Sequence, residues 1–265
     1  MYEQYEFLQI ERRGRILHIA MNNPPVNAMT PTMHNELSRI FFDVNRDPDT
    51  AVVVFTGAGK TFCGGGNIDN MKKRNDTREY DSWIQTTWEA KNIVRSLLEL
   101  ERPLITRING HAMGLGATLA VFADFSYMLE TARIADTHVK VGLTAGDGGA
   151  LMWPFLIGFA RARRYLMTGD ALTGKEAADI GLITESVASI EELDEKVNGM
   201  AERLASGASV AINFTKASIN FVLRRIFDGV METHLGWETN SALSSDHREA
   251  VNAFVEKRDP RFTGR

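Results

Sequence analysis

Two glycine-rich loops contain the residue types of this chain that are best suited to chemistry. Residues 64–66 are three consecutive glycines and residues 114–116 are Gly-Leu-Gly, and each group lies between a predicted strand and a predicted helix. Glycine lets the backbone approach a ligand closely, and the first amides of a helix lack partners within that helix. Two such amides aimed at one point form an oxyanion hole, which stabilises negative charge on a carbonyl oxygen. The alternative is that these glycines only permit tight turns.

Known nucleotide-binding motifs do not account for the loops. A phosphate-binding loop ending in Gly59-Lys60-Thr61 would need a glycine at position 54, where a valine stands. Neither group of glycines has the residue expected at the sixth position of a dinucleotide-binding fingerprint. The six histidines show no HExxH or comparable spacing, so we expect no metal ion.

The predicted strands and helices position the two loops. A β-hairpin around Gly14 and a helix beginning at Thr30-Pro31 precede a buried strand at 51–55, which leads into the first loop. A helix at about 80–100 and a strand at 103–108 then lead into the second loop. Two successive units of strand, glycine loop and helix predict a layered α/β core whose loops converge on one site.

The second half of the chain is predicted to be mostly helical. Thr173 and Glu176 have the spacing of a capping box. Helical periodicity covers residues 193–204, 210–227 and 248–255. We therefore divide the chain into a core at residues 1–204 and a helical C-terminal region at residues 205–265.

Composition and charge exclude several classes of protein. With 44% hydrophobic and 24% charged residues, a 265-residue chain buries a large core without disulfides. A formal charge of -4 supplies no positive field for nucleic acid. Cys63 is the single cysteine, so a reducing cytoplasm is expected. We see neither a signal peptide nor an apolar stretch of membrane-spanning length, and we expect no membrane partner.

Several motifs, in order along nearly the whole chain, resemble the crotonase (enoyl-CoA hydratase/isomerase) superfamily. They lie at residues 22–28, 57–68, 108–116, 166–169 and 177–183, and the C-terminal segments 245–250 and 253–258 are similar to the family's ending. Each motif is short and common. Their shared order and spacing are what make the resemblance specific.

The resemblance implies a spiral of ββα units with a helical C-terminal trimerisation region. It also implies acyl-CoA substrates, with coenzyme A as part of the substrate and no separate cofactor, and a homotrimer or a dimer of trimers. By position, the backbone amides of Gly66 and Leu115 are the implied oxyanion-hole donors. The implied substrate-binding residues are Ala28, Gly64, Gly65, Ile68 and Gly114.

The catalytic positions depart from the family pattern. Hydratases of this family usually carry two glutamates, and the matching positions here hold Thr118 and His138. A threonine hydroxyl can orient water but is a poor base at neutral pH, so a mechanism with paired carboxylates does not transfer. A histidine can act as a general base because its ordinary pKa is ~6.5.

His138 and Asp147 together resemble a second branch of the superfamily. A His/Asp pair nine residues apart, followed by Trp153-Pro154, is similar to the β-diketone hydrolases of the 6-oxocamphor hydrolase type, which use the pair to activate water for carbon-carbon cleavage. Asp147 would hold the imidazole in one tautomer. Those hydrolases tend to have a histidine at the position of Leu115. They also tend to have a glutamate in the C-terminal helix, where Asn240 or the nearby Glu238 falls.

Three hypotheses about function follow. The leading one is hydration of a 2-enoyl-CoA through an enolate held by the Gly66 and Leu115 amides, with His138, oriented by Asp147, moving the proton and Thr118 positioning the water. The second is hydrolytic carbon-carbon cleavage of a β-diketone or β-ketoacyl substrate by His138 and Asp147. The third is a catalytically silent acyl-CoA-binding scaffold.

The last candidate for a binding site is a basic run at residues 72–74. Together with Asp76, Arg78 and Glu79 it is interpreted as a solvated helix face, and contact with the phosphates of coenzyme A is the alternative.

Overall fold

The computed structural model describes residues 1–77 and 80–265 and confirms the predicted α/β class. The chain opens with the expected hairpin, in which β1 (Leu8–Arg13) pairs antiparallel with β2 (Ile16–Met21). Gly14 lies in the turn with a φ of 59°, a conformation that favours glycine.

The larger sheet continues from β2 through parallel neighbours. Its order is β1-β2-β3-β4-β6-β9, with β3 at Val52–Gly57, β4 at Leu104–Ile108, β6 at Phe125–Leu129 and β9 at Glu185–Val187. Val53 and Phe55 of β3 face one apolar cluster, whereas Val52 and Val54 face another. The continuous apolar run of this strand therefore reflects burial on both faces.

A smaller sheet of very short strands accompanies the larger one. It is formed by β5 (Ala112–Met113), β7 (Arg133–Ala135) and β8 (Leu172–Thr173), in the order β5-β7-β8. β5 directly follows β4 in the chain but pairs with β7, whereas β6 returns to the larger sheet beside β4. The sequence analysis did not predict this sheet because two or three residues are too few for a periodic pattern.

Helices connect and cover the sheets. They are α1 (Pro31–Asn45), α2 (Ile68–Thr77), α3 (Tyr80–Glu99), α4 (Leu115–Val121), α5 (Gly149–Thr168), α6 (Gly174–Asp179), α7 (Ile190–Ala205), α8 (Ser209–Ala242) and α9 (Ser245–Val255). Helix α1 begins as predicted, because the Thr30 side chain accepts a hydrogen bond from the Met33 amide at 3.2 Å. The capping box of Thr173 and Glu176 is also formed.

The long helix α8 extends beyond its predicted end near Phe227. Phe227, Met231 and Leu235 are all buried, so one apolar face continues at a spacing of four residues. This face packs against α3 and carries the last turns of α8 toward the glycine loops. No helix among the described residues is long and apolar enough to cross a membrane. The division of the chain at residue 205 stays a prediction.

Candidate active site

The two glycine-rich loops lie side by side at one edge of the larger sheet. Strands β3 and β4 are parallel neighbours, so the loops that follow them leave from the same edge. Backbone hydrogen bonds join the loops: the Cys63 amide donates to the His111 carbonyl at 3.0 Å, and the Met113 amide donates to the Cys63 carbonyl at 2.9 Å. This pairing holds Gly66 and Leu115, a few residues further along each loop, in one neighbourhood.

Glycine is required where the loops touch. Gly65 and Gly114 have φ angles of 85° and 54°, which lie in the left-handed region. A Cβ atom at Gly65 would lie 3.0 Å from the Met113 carbonyl oxygen, closer than side chains normally approach. These two glycines therefore shape the backbone that presents the neighbouring amides.

The amides of Gly66 and Leu115 are available for a ligand. In the part of the chain that the structure describes, neither amide donates a hydrogen bond to a protein acceptor. Leu115 is the first residue of α4, so its amide has no partner within the helix. Both residues line one cavity of about 600 Å³. Two free donors in one cavity can bind a carbonyl oxygen and the negative charge that develops on it.

Most of the predicted site residues lie in the wall of this cavity. Those that line it are Gly64, Gly66, Ile68, Gly114, Leu115, His138 and Asp147. Ala28, Gly65 and Thr118 are not among the lining residues. The Ala28 carbonyl accepts a hydrogen bond from the Asn23 side chain at 2.7 Å, and Thr118 is fully buried behind Asp147. The predicted contacts of Ala28, Gly65 and Thr118 with substrate stay predictions.

His138 lies between two carboxylates. It begins a 3₁₀ turn at His138–Val141. Its Nδ1 is 2.7 Å from Oδ1 of Asp136, and its Nε2 is 3.2 Å from Oδ2 of Asp147. The sequence analysis expected only the second contact.

Asp136 is a site residue that the sequence analysis missed. Its Oδ1 also accepts the backbone amide of His138 at 3.2 Å. An aspartate two residues before a histidine commonly forms this local turn, so the Asp-x-His spacing is the signal that could have identified it.

The two carboxylates determine the charge of His138. Burial lowers the His138 pKa, but the charges of Asp147 and Asp136 outweigh burial and raise the pKa well above its ordinary value. Burial would raise the Asp147 pKa, whereas the His138 charge and hydrogen bonds from His138 and Thr118 lower it. Both shifts favour an imidazolium beside an ionised Asp147. This arrangement does not favour His138 as a free base.

Thr118 supports Asp147 from within the core. It lies on α4, and its Oγ1 is 3.2 Å from Oδ1 of Asp147, to which the hydroxyl donates. Asp147 is thus held by Thr118 on one oxygen and by His138 on the other.

Glu238 adds a further carboxyl group to the cavity. It lies on α8, lines the cavity, and its Oε2 is buried without a hydrogen-bond partner among the described residues. Burial, together with the nearby charge of Asp147, raises the pKa of Glu238 to about 8. Glu238 therefore carries a proton at neutral pH. Of the two positions left open on this helix, Asn240 is exposed and does not line the cavity.

A second histidine and carboxylate pair lies in the same cavity and was not predicted. Nδ1 of His34 is 2.6 Å from Oε2 of Glu89, and both residues are buried. Asn35 and Gln85 donate to Oε1 of Glu89, each at 2.7 Å. His34 lies on α1 and Glu89 on α3, and no motif in the sequence indicates that these helices face the loops.

The basic run at residues 72–74 is only partly the solvated face that we expected. Lys72 forms an exposed pair with Asp76 at 3.1 Å, and Lys73 is exposed. Arg74 is half-buried, and both Lys73 and Arg74 line the cavity. The prediction for Arg78 and Glu79 falls outside the described residues.

The carboxylates around His138 also have the spacing of a metal site. Asp136, His138 and Asp147 offer donor atoms within 4.8 Å of one another. The two carboxylates, however, bind opposite nitrogens of one ring, and a histidine presents only one nitrogen to an ion. A single ion could not replace both contacts, so we interpret the group as a hydrogen-bonded chain.

Comparison with known proteins establishes the family. Residues 11–265 match the enoyl-CoA hydratase/isomerase family. The chain belongs to this family. Among its members, a 1,2-epoxyphenylacetyl-CoA isomerase from Escherichia coli is 28% identical, over 98% of this chain and 99% of its own. A crotonyl-CoA hydratase from Syntrophomonas wolfei is 29% identical, over 97% of this chain and 98% of its own.

Solved structures of the enoyl-CoA hydratase/isomerase family share the fold. One from Mycobacterium paratuberculosis is 28% identical with a TM-score of 0.90, covering 95% of this chain and 99% of its own. A β-diketone hydrolase from Anabaena, bound to (S)-3-oxocyclohexyl acetic acid, is 27% identical with a TM-score of 0.83, covering 91% and 96%. The predicted crotonase-like fold is confirmed.

Proposed function

We propose that this protein is an acyl-CoA enzyme that adds water to the double bond of a 2-enoyl-CoA. The observation that carries this proposal is the content of one cavity: two free amides, an ionised Asp147 and a protonated Glu238. Hydration needs a site for enolate charge, a base and an acid. A pair of carboxyl groups whose environments push their pKa values apart supplies the last two.

The thioester carbonyl accepts hydrogen bonds from the Gly66 and Leu115 amides. As water attacks the β-carbon, the electron pair of the double bond moves to the carbonyl oxygen and forms an enolate. Each donor aimed at that oxygen contributes roughly 3–4 kcal/mol to lowering the barrier. Gly64, Ile68 and Gly114 line the cavity beside these donors and contact the substrate there.

Asp147 takes the proton of the attacking water, and Glu238 delivers a proton to the α-carbon. The role of base, which the sequence analysis gave to His138, passes to Asp147 because the raised pKa of His138 keeps the ring protonated. His138 holds the carboxylate in place and compensates its charge. Proton exchange with solvent restores both carboxyl groups after product leaves.

Carbon-carbon hydrolysis is the second candidate. It is supported by the similarity to the Anabaena β-diketone hydrolase and by the His138, Asp147 and Glu238 constellation. In that reaction Asp147 and His138 activate water for attack on a carbonyl, and Glu238 protonates the carbanion that leaves. Incubation with crotonyl-CoA and, separately, with a cyclic β-diketone, following the absorbance of each, distinguishes the two reactions.

A silent acyl-CoA-binding scaffold is the third candidate, and hydrogen exchange tests it. In D₂O with butyryl-CoA, an active base and oxyanion hole exchange the hydrogens next to the thioester for deuterium. We expect exchange. Calorimetric binding of butyryl-CoA without exchange would identify a scaffold.

We further propose a homotrimer or a dimer of trimers in the cytoplasm. Several large apolar side chains of α8 are exposed on the single chain, which supports burial in an assembly. They are Val210, Phe214, Ile219, Phe221 and Val222. Light scattering should give a mass of three or six times 29.5 kDa. We propose no cofactor, nucleic-acid partner or membrane partner.

A further inference from the structure

Arg74 places a cation in the wall of the active-site cavity. Its guanidinium lies over the ring of Trp83, 4.4 Å from the ring centroid. Its Nη1 donates to Oγ1 of Thr86 at 3.1 Å. Trp83 and Thr86 both belong to α3 and also line the cavity. The two contacts hold the guanidinium in place, and among the described side chains they use one of its five N–H donors.

The charge of Arg74 has no anionic partner in the part of the chain whose side chains the structure describes. Among the side chains that the structure describes, no carboxylate lies within 4.0 Å of it. Burial lowers the Arg74 pKa, and Glu238 and Glu89 are the carboxyl groups whose charges act on it. Glu89 is already bound by His34, Asn35 and Gln85. Glu238 is protonated at neutral pH, because its pKa is about 8.

Arg74 lies one helical turn beyond the oxyanion site. The terminal methyl of Met71 fills the space that a Cβ atom at Gly66 would occupy. Met71 and Arg74 are three residues apart on α2, so they share a face of the helix, with Arg74 about 4.5 Å further along the axis. A chain that starts with its thioester carbonyl at Gly66 can therefore pass Met71 and reach Arg74.

We propose that Arg74 binds a carboxylate at the far end of the acyl group, so that the substrates are short ω-carboxyacyl-CoA thioesters. This inference rests on the proposed function, which puts the thioester carbonyl at the Gly66 amide. A planar guanidinium binds a carboxylate through two parallel hydrogen bonds, and partial burial strengthens such a pair. Among the described residues Arg74 has no carboxylate partner, and a cation of this kind in the cavity wall is unfavourable for a purely apolar acyl chain.

The phosphates of coenzyme A are the competing ligand for Arg74. Arg74, however, is held against Trp83 and Thr86 of α3, the same helix that carries Glu89 into the buried network with His34. Coenzyme A phosphates would lie away from the reacting carbons, toward solvent. The position of Arg74 thus favours the acyl end of the substrate.

Calorimetric binding of length-matched saturated thioesters tests the proposal. Glutaryl-CoA is compared with valeryl-CoA, and adipyl-CoA with hexanoyl-CoA, so that each pair differs only by the terminal carboxylate. For at least one length we expect the carboxylate to bind tenfold or more tightly, as hydrogen bonds to a charged group allow. Arg74→Gln should reduce that ratio to about one, and Arg74→Lys should retain part of it.

Lys72→Gln is the matched control, because it removes the same charge from the same helix at a side chain that does not line the cavity. It should leave the ratio unchanged. Equal affinities within both pairs for the wild type would overturn the proposal. The proposal would also be overturned if Arg74→Gln lost affinity for free coenzyme A and for the acyl thioesters by the same factor. An equal loss identifies a contact with the phosphates. Failure of all four thioesters to bind would instead contradict the proposed function.

Discussion

The hydroxyl of Thr118 donates a hydrogen bond to Oδ1 of Asp147 at 3.2 Å. Thr118 stands where related hydratases usually have a glutamate, and its neighbour in space is a carboxylate from a later loop. In this chain the position therefore supplies a hydroxyl that supports a carboxylate, rather than a carboxyl group of its own. Thr118 is a positioning residue, since it is fully buried and does not line the cavity.

Replacement of Thr118 by valine should impair Asp147 without altering the packing of α4. Valine keeps the shape and removes a hydrogen bond that lowers the Asp147 pKa. We expect the acid limb of the pH profile to move to higher pH. At pH values on that limb, kcat/KM should be roughly tenfold lower than in the wild type. Thr118→Ser is the control and should retain the wild-type profile. An unchanged profile for Thr118→Val would show that this contact does not act on Asp147.

Activity should decrease as pH rises through the pKa of Glu238. Because that pKa is about 8, Glu238 holds the proton that it must deliver only below this pH. In Glu238→Gln we expect kcat/KM with crotonyl-CoA to fall by about 10²–10⁴-fold at neutral pH. The pH profile of this variant should also lack the decrease near pH 8 that we expect for the wild type. Wild-type activity that stays constant from pH 7 to pH 9 would contradict this assignment.

The backbone donor at Leu115 can be removed by proline. Proline is tolerated at the first position of a helix, and it lacks the N–H that we assign to the oxyanion hole. We expect Leu115→Pro to lower kcat by about 10²–10³-fold. Leu115→Ala removes the side chain but keeps the amide, so its kcat should lie well above that of the proline variant. Circular dichroism of both variants checks the fold.

Asp136 should act on catalysis through His138. Asp136→Asn keeps the shape of the side chain but removes a charge that raises the His138 pKa. We expect that pKa, measured by NMR titration of the imidazole, to fall toward its ordinary value, with kcat/KM reduced by roughly tenfold or more. Asp147→Asn, which removes the proposed base, should cost more. A normal imidazole titration in the wild type would refute the charge state described for this site.

Long elements with a regular pattern could be predicted from the sequence. Helix α1 was predicted from the Thr30-Pro31 start and its apolar spacing, and β3 from a continuous β-branched run. The strands of the smaller sheet could not be predicted, because each is held by pairing with distant segments rather than by its own pattern.

The site could be predicted where one segment carries the signal. Each glycine loop is contiguous in sequence, and so is the region from His138 to Asp147. Glu238 was offered, beside Asn240, only through the family resemblance, and His34 and Glu89 reach the cavity from two helices that are far apart along the chain. Their pKa values and pairings arise from tertiary burial, which no local spacing reveals. Arg74 was assigned to solvent because its neighbours in sequence, Lys72 and Lys73, do face solvent.

The pairing of Cys63 with His111 and Met113 uses main-chain atoms alone. Substitution of the acids and bases around the cavity can therefore leave the backbone of the proposed oxyanion hole unchanged. A chain with Thr118 and His138 at the positions where hydratases of the family usually carry glutamates can then use other proton carriers, a role that we propose for Asp147 and Glu238. When peptide groups stabilise charge and replaceable side chains transfer protons, one fold is expected to support several different reactions.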